Sequence, residues 1–408
     1  AEAIGSVRDR LPRLAHLLRA DAFDRLAAAS PHGAVHTQRG GEDLAVLMYT
    51  SGTSGLPRGA MLPHRAMLTN LDQCARIEPP VVTADDVVLL ALPLFHIYGL
   101  GPGLGQVARV GCSAVLVDRF DPAETLELIA RHGVTNVPGA PPMFVAWSLL
   151  PDFAEVFGNV RLAVSGAAPL PPEAQARMFQ ATGRHIYEGY GLTETAPVVT
   201  STLVSEVPKP SSIGQPIPGV DVRLVDPATG EDLVELTEDL RELLDEVDAP
   251  IRDPGEVVVR GANLFVGYWP DGEGGPDAQG WWRTGDVAVS DEDGDLYLVD
   301  RIKELILVSG FNVYPREVEA VLVAHPGIVE AAVIGVPDPS TGETVKAYVV
   351  TAPGVQITAE EVVAHAERSL ARFKCPTVVD VVVALPHSAT GKVSKGRLRA
   401  REARAAGS

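Results

Sequence analysis

From Val87 to Glu188 the chain alternates short apolar runs with amphipathic stretches of helical length, and no other feature restricts its folding as strongly. Val87–Leu92, Ser113–Val117, Val134–Val137, Leu162–Val164 and His185–Glu188 have the length and apolar content of buried strands. Between them, Asp121 followed by Pro122 and Glu124 predicts a helix start. The carboxylate can accept a free backbone N–H there, and proline suits the first helical position. That helix should end at Gly133, and a second is expected over Pro172–Thr182. Strands alternating with helices imply an α/β fold, a layered sheet that takes its ligands near the carboxyl ends of the strands.

The flanking regions differ in texture. Residues 6–29 are expected to be helical, with Leu11, Leu14, Leu17 and Leu18 at helical spacing, and a strand (Leu44–Met48) and a helix (Pro63–Ala75) should follow. From about Ile213 the pattern becomes β-rich, with strands expected at Val220–Val225, Glu256–Arg260 and Leu296–Val299. The acidic stretch Glu231–Asp248 carries leucines at 233, 236, 240, 243 and 244, which suits an exposed amphipathic helix without a partner role. After Asp300 a small α+β unit is expected, with helices at Pro315–Ala324 and Ala359–Leu370 and strands at Ala331–Gly335 and Thr344–Val350. Three parts result: an α/β core over 1–212, a β-rich subdomain over 213–302 and a small C-terminal domain over 303–408.

Composition narrows the function. A formal net charge of -19, from 34 basic and 53 acidic residues, argues against a general nucleic-acid or anionic-membrane binder. Cys74, Cys112 and Cys375 are far apart and form no metal-binding pattern, as expected of reduced thiols in a cytoplasmic protein. The first residues carry no signal-peptide pattern, and no apolar run approaches the roughly 18 residues of a transmembrane helix.

Chemistry collects in five stretches. Tyr49–Gly59 reads YTSGTSGLPRG; its glycines let backbone N–H groups converge and its hydroxyls add donors, as a polyphosphate requires. It lacks the spacing of the Walker loop. Tyr187–Thr195, YEGYGLTET, offers a flat ring for a base, glycines for close approach, and a Thr193-Glu194 pair suited to a magnesium-bound phosphate. Trp282–Asp286, WRTGD, reads as a turn presenting a carboxylate to two ribose hydroxyls. Asp300–Pro315 and Pro386–Lys392 follow, the last a loop with a single lysine.

Taken together and in this order, the five stretches resemble the adenylate-forming superfamily: acyl-CoA synthetases, peptide-synthetase adenylation domains and beetle luciferases. The runs EGYGLTETAPVVT, GETVKAYVV and SATGKVSKGRLR look most like a bacterial medium- or long-chain fatty-acid CoA ligase. The resemblance implies ATP, Mg2+ and coenzyme A as reactants and cofactors, and a carboxylic acid as substrate. Thr50, Ser51, Gly52, Thr53, Ser54, Gly55, Arg58 and Gly59 would then hold the β- and γ-phosphates. Gly166, Ala167 and Ala168, with Glu188, Gly189, Tyr190 and Gly191, would line the adenine and acyl-carboxylate site. Thr193 would touch the α-phosphate, Glu194 would bind magnesium, and Asp286 with Arg301 would take the ribose. His96 would sit where acyl tunnel meets nucleotide, Lys303 at an interdomain hinge, Gly310 and Phe311 near coenzyme A, and Lys392 between carboxylate and α-phosphate.

Departures from the family pattern are few. Ser54 and Arg58 stand where Thr and Lys are usual, each keeping its donor or charge, although arginine is bulkier and forked. Leu100 occupies the place of an aromatic gate, and Gly99, Gly101, Gly103 and Gly105 suit either a widened tunnel or tight helix packing. Relatives usually carry roughly a hundred more residues in front, about one subdomain's worth. Two alternatives to a CoA ligase stay open: transfer of the acyl group to an acyl carrier protein, and a nucleotide- or acyl-binding protein impaired by the short front. An esterase is excluded at Leu56, where the Gly-x-Ser-x-Gly elbow fails. Whether the chain acts as a homodimer is not legible in its sequence.

Overall fold

The computed structural model describes residues 10, 12, 14–30, 33, 37–50, 57–205, 207–227, 229–233, 254–387 and 393–406. By contacts the chain divides into Ala1–Gly40 and Gly41–Ser408. The first unit holds helix α1 (Ala20–Ala29), which carries an Arg25–Asp21 ion pair one turn apart. The helix expected over 6–29 is therefore shorter. Residues 14–19, with Leu14, Leu17 and Leu18, are not helical, and none of the three leucines is buried, so no packed apolar stripe stabilises a helix there.

The second unit begins with an antiparallel pair, β1 (Leu44–Thr50) and β2 (Arg58–Pro63), followed by α2 (His64–Ala75). Sequence reading missed β2: Gly59 and the two flanking prolines mask a strand whose partner supplies its pattern. Next come β3 (Val87–Leu90), a π-helical turn over Gly99–Gly105 leading into α3 (Gln106–Val110), β4 (Ser113–Leu116), α4 (Pro122–His132) and β5 (Asn136–Gly139). After α5 (Pro141–Trp147) and α6 (Phe153–Phe157) follow β6 (Leu162–Ser165), α7 (Pro172–Thr182), β7 (Ile186–Gly191), β8 (Val198–Ser201) and β9 (Gln215–Pro216). The expected caps form: Asp121 accepts from the Glu124 N–H at 2.9 Å, and Gly133 closes α4 in the left-handed conformation.

Strands β3 to β9 make a seven-stranded sheet in the order β4-β3-β5-β6-β7-β8-β9, parallel up to β7 and antiparallel beyond. All four residues of β5 are buried, as in a strand covered on both faces. One face packs on a core around Phe144, Trp147, Phe157 and Met178; the indole N–H of Trp147 donates to Thr125 Oγ1 at 2.9 Å. At the strand entrances Asp86 accepts from Thr135 Oγ1 (2.7 Å) and from Arg161 Nη2 (2.6 Å), which ties β3, β5 and β6 together.

A second sheet, β10 (Val220–Val225), β11 (Gly255–Gly261), β12 (Trp281–Ser290) and β13 (Leu296–Arg301), is antiparallel in sequence order. It joins the first sheet through the Gly214–Leu296 bridge. The stretch WRTGD is thus the middle of a strand and not the expected turn, its polar residues serving one half-exposed face. The acidic helix expected over 231–248 falls largely on 234–253, outside the described residues. A third sheet holds β14 (Ile306–Val308), β15 (Phe311–Val313), β16 (Ile328–Asp338), β17 (Gly342–Thr351) and β18 (Val378–Val381), packed with α8 (Pro315–Val323) and α9 (Ala359–Ala366), the latter shorter than the expected 359–370; α10 (Lys395–Ala406) follows. Its core is Ile306, Val318, Leu322, Val333, Val345 and Val362.

Candidate functional site

The carboxyl ends of the parallel strands bring most of the expected residues into one region. Segment 91–98 leaves β3 and carries His96, whose Nδ1 accepts from the Tyr98 N–H at 3.2 Å. The Tyr98 hydroxyl donates to the Val164 carbonyl of β6 at 2.9 Å. Its ring fills the space beside Gly166, where a Cβ would come within 2.9 Å of Tyr98 Cε1, so this position accepts no side chain. Ala167 then turns with φ +71°, a conformation that costs an alanine about 1 kcal/mol and re-aims the loop 166–170 away from the strand direction. The Gly99–Gly105 turn settles the tunnel question toward packing: Cβ atoms at Gly99 and Gly105 would meet Pro93 O at 2.4 Å and Leu71 Cδ2 at 2.9 Å.

On β7, Glu188 and Tyr190 are 5% and 8% exposed, and Gly191 lies so close to Pro197 that a Cβ would sit 2.0 Å from its carbonyl oxygen. Tyr190 reaches the second sheet, where its hydroxyl donates to Asp286 Oδ2 at 2.7 Å. The other oxygen of Asp286 accepts from Arg301 Nε at 2.7 Å, because Asp286 and Arg301 are register partners on β12 and β13. Asp286 is 4% exposed, and its carboxylate, with burial opposing, holds the Arg301 guanidinium above its ordinary pKa. Burial first, and Asp286 second, push the Tyr190 phenol well above its ordinary value, so it remains a donor.

A second column forms at Thr193–Thr195, a single 3-10 turn. Glu194, 7% exposed, accepts from the Tyr268 hydroxyl at 2.6 Å, and the Arg58 guanidinium stacks over the Tyr268 ring at 3.6 Å. Strand β2 delivers Arg58 there by bonding the segment 266–269: Trp269 N donates to Gly59 O at 2.8 Å and Met61 N to Gly267 O at 3.0 Å. Tyr268 and Tyr98 are the residues that sequence reading overlooked. Each is one tyrosine in an aromatic run (GYWP, HIYG), with only a neighbouring glycine as a signal.

Thr50 and Arg58 are register partners at the ends of β1 and β2. Ser51, Gly52, Thr53, Ser54 and Gly55 between them, and Lys392, lie outside the described residues. On either side of 388–392, His387 bridges Val393, Ser394 N donates to Pro386 O at 2.7 Å, and Lys395 pairs with Glu304 (3.1 Å) and Glu319 (2.8 Å). Glu304 adjoins Lys303 in the turn after β13. Gly310 sits with Ser309 at the tip of the β14–β15 hairpin, both at positive φ as a two-residue turn requires, and the Phe311 ring packs on Phe373 at 4.9 Å. These residues stand on a different sheet from Tyr190.

Among the described residues no three His, Cys, Asp or Glu side chains could together hold an ion. Glu194 is a single buried carboxylate, a donor set that fits Mg2+ bound chiefly to phosphates and waters. No helix among the described residues is long and apolar enough to cross a membrane.

Two family models cover this architecture. Residues 5–269 match the AMP-binding enzyme model, and residues 317–392 match that of the AMP-binding enzyme C-terminal domain. The chain belongs to the AMP-binding enzyme family, an α/β fold with a large N-terminal and a small C-terminal part. It is similar to the long-chain-fatty-acid–CoA ligase of Bacillus subtilis, 37% identical over 87% of this chain, and it spans 61% of that relative's length. ATP-bound MatB from Rhodopseudomonas palustris superposes with a TM-score of 0.83 at 35% identity, over 93% of this chain and 72% of MatB. The anthranilate CoA ligase AuaEII, solved with anthranoyl-AMP, gives 0.80 at 27% identity, over 98% of this chain and 76% of that one.

Proposed function

We propose that this chain activates a carboxylic acid, in the first place a fatty acid, with ATP to an acyl-AMP, and then transfers the acyl group to coenzyme A. The observation that carries this reading is the Tyr190–Asp286–Arg301 cluster, together with the loop 166–170 and its left-handed Ala167 at the end of β6. Each oxygen of Asp286 uses one lone pair on its neighbour, so two ribose hydroxyls can donate to the remaining pair on each without rearrangement. Tyr190 and the loop Gly166-Ala167-Ala168, with Gly189 and Gly191, would bracket the adenine.

A carboxylate is a poor nucleophile toward an anionic phosphate, and positive charge must be held where the new charge develops. Arg58 and the loop Thr50–Gly59 would grip the β- and γ-phosphates, Thr193 the α-phosphate, and Lys392 both the carboxylate and the α-phosphate. When bound at Glu194, Mg2+ would neutralise phosphate charge. The carboxylate oxygen attacks the α-phosphorus, pyrophosphate leaves, and the thiol of coenzyme A then attacks the acyl carbon and expels AMP. His96 would stand at the acyl end of the site, and Gly310 and Phe311 beside the incoming thiol. The small part, 303–408, would turn about Lys303 between the two steps, against a large part made of 1–212 and 213–302.

The test is ATP/pyrophosphate exchange with acids of graded chain length, followed by coenzyme A. Exchange with a fatty acid and thioester formation support the reading. Exchange with no acid refutes it in favour of a binding protein, and an adenylate that only a carrier phosphopantetheine discharges moves the acceptor to a carrier protein.

A further inference from the structure

Among the described residues Glu188 has no cation beside it. It is 5% exposed on β7; Oε2 accepts from the Leu170 N–H at 3.0 Å, and Oε1 is buried with no hydrogen-bond partner among those residues. Two further buried oxygens, on the elements next to β7, are also without a partner among the described residues. One is Oγ of Ser165, the register partner of Glu188 on β6; the other is Oε1 of Gln175 on α7, whose amide donates to Ile186 O at 3.3 Å. The backbone of Glu188 is held from β8, its N–H donating to Thr202 Oγ1 at 2.8 Å and its carbonyl accepting from the Thr202 N–H at 2.9 Å. The elements packed around it present no charge: β6 gives Ser165, β8 and its end Ser201 and Thr202, and the buried face of α7 Ala174, Gln175 and Met178, while Glu173 and Arg177 of α7 are exposed.

An ionised Glu188 would bury a charge with one oxygen lacking a donor, whereas protonation removes that charge and keeps Oε2 as the acceptor for the Leu170 N–H. We infer that Glu188 is a positioning residue that works as a neutral acid, holding the loop 166–170, with its left-handed Ala167, from beneath through Leu170. Loss of its proton strengthens Oε2 as an acceptor for Leu170 but leaves a buried charge that draws water to Oε1, and that water displaces the loop from the nucleotide. Burial, offset in part by the Leu170 N–H, sets the carboxyl at about 7, so the change falls at ordinary pH. The inference rests on the activation reading for its kinetic consequence only.

The experiment compares the full chain with Glu188→Gln, which keeps the shape and an acceptor oxygen but cannot ionise, from pH 5.5 to 9. Two quantities are read: kcat/KM for ATP in pyrophosphate exchange, and thermal midpoint. The ratio of variant to wild type is expected to rise with pH, reaching about tenfold at pH 8. The midpoint of the variant should gain on that of the wild type over pH 5.5–7 and hold its lead above. Glu188→Met, neutral but without an oxygen to accept from Leu170, should raise KM for ATP at every pH, a cost that Gln avoids. A flat ratio and a constant midpoint difference overturn the inference. Absence of exchange in the wild type refutes the activation reading instead, and the midpoints still decide whether Glu188 holds its proton.

Discussion

Replacing Asp286 by alanine tests the centre of the site. The carboxylate is 4% exposed and accepts two hydrogen bonds of 2.7 Å. Its loss leaves the hydroxyl of Tyr190, a residue 8% exposed, without an acceptor, at about 1–3 kcal/mol. The bond to Arg301 is charge-assisted, but 40% of that side chain is exposed and water can replace the carboxylate, so it adds only about 1 kcal/mol. The substitution should therefore destabilise the chain by about 2–4 kcal/mol. A double-mutant cycle with Tyr190→Phe isolates the buried bond, because phenylalanine removes the stranded donor; a coupling of about 1–2 kcal/mol is expected in urea unfolding. Calorimetry on the same variants should show ATP binding weakened more than acid binding. Coupling near zero would refute the energetic reasoning, and unchanged ATP affinity would refute the ribose assignment.

Lys392→Ala should abolish adenylate formation and spare thioester formation from supplied acyl-AMP; equal loss of both half-reactions would sink its assignment. Tyr268→Phe removes the donor that holds Glu194 and should lower exchange about tenfold, the worth of one hydrogen bond to a carboxylate; exchange assayed over a magnesium titration checks it. Burial alone would raise the Asp86 carboxyl, but the Arg161, Thr135 and Thr83 hydrogen bonds bring it down to about 2. A depressed carboxyl stabilises the fold above its unfolded value and loses that contribution as pH falls through its folded one. Asp86 should thus contribute about 2 kcal/mol above pH 4 that fades toward pH 2, and Asp86→Asn should flatten unfolding midpoints over that range.

Local rules carried much of this molecule. The alternation of strands and helices, the Asp121 cap, the Gly133 stop and the span Pro172–Thr182 all follow from backbone donors, proline geometry and apolar period, which act within a few residues. The phosphate-loop composition and the order of the five stretches likewise sufficed to place the chain in its family. Pairings over long separations were not legible. Strand β2 and the strand character of WRTGD depend on what lies opposite them, and a sequence window does not contain its partner.

The same holds for the site. The sequence by itself determined which residue types are available: a tyrosine between glycines, an Asp, an Arg fifteen residues on. Only the tertiary structure decided that Tyr190 and Arg301 share Asp286, that Arg58 stacks on Tyr268 over Glu194, and that Glu188 lies under the loop 166–170 with no cation among the described residues beside it. The reason is physical: hydrogen bonding, desolvation and pKa depend on distance in space and on excluded water, and packing sets both after the chain has folded.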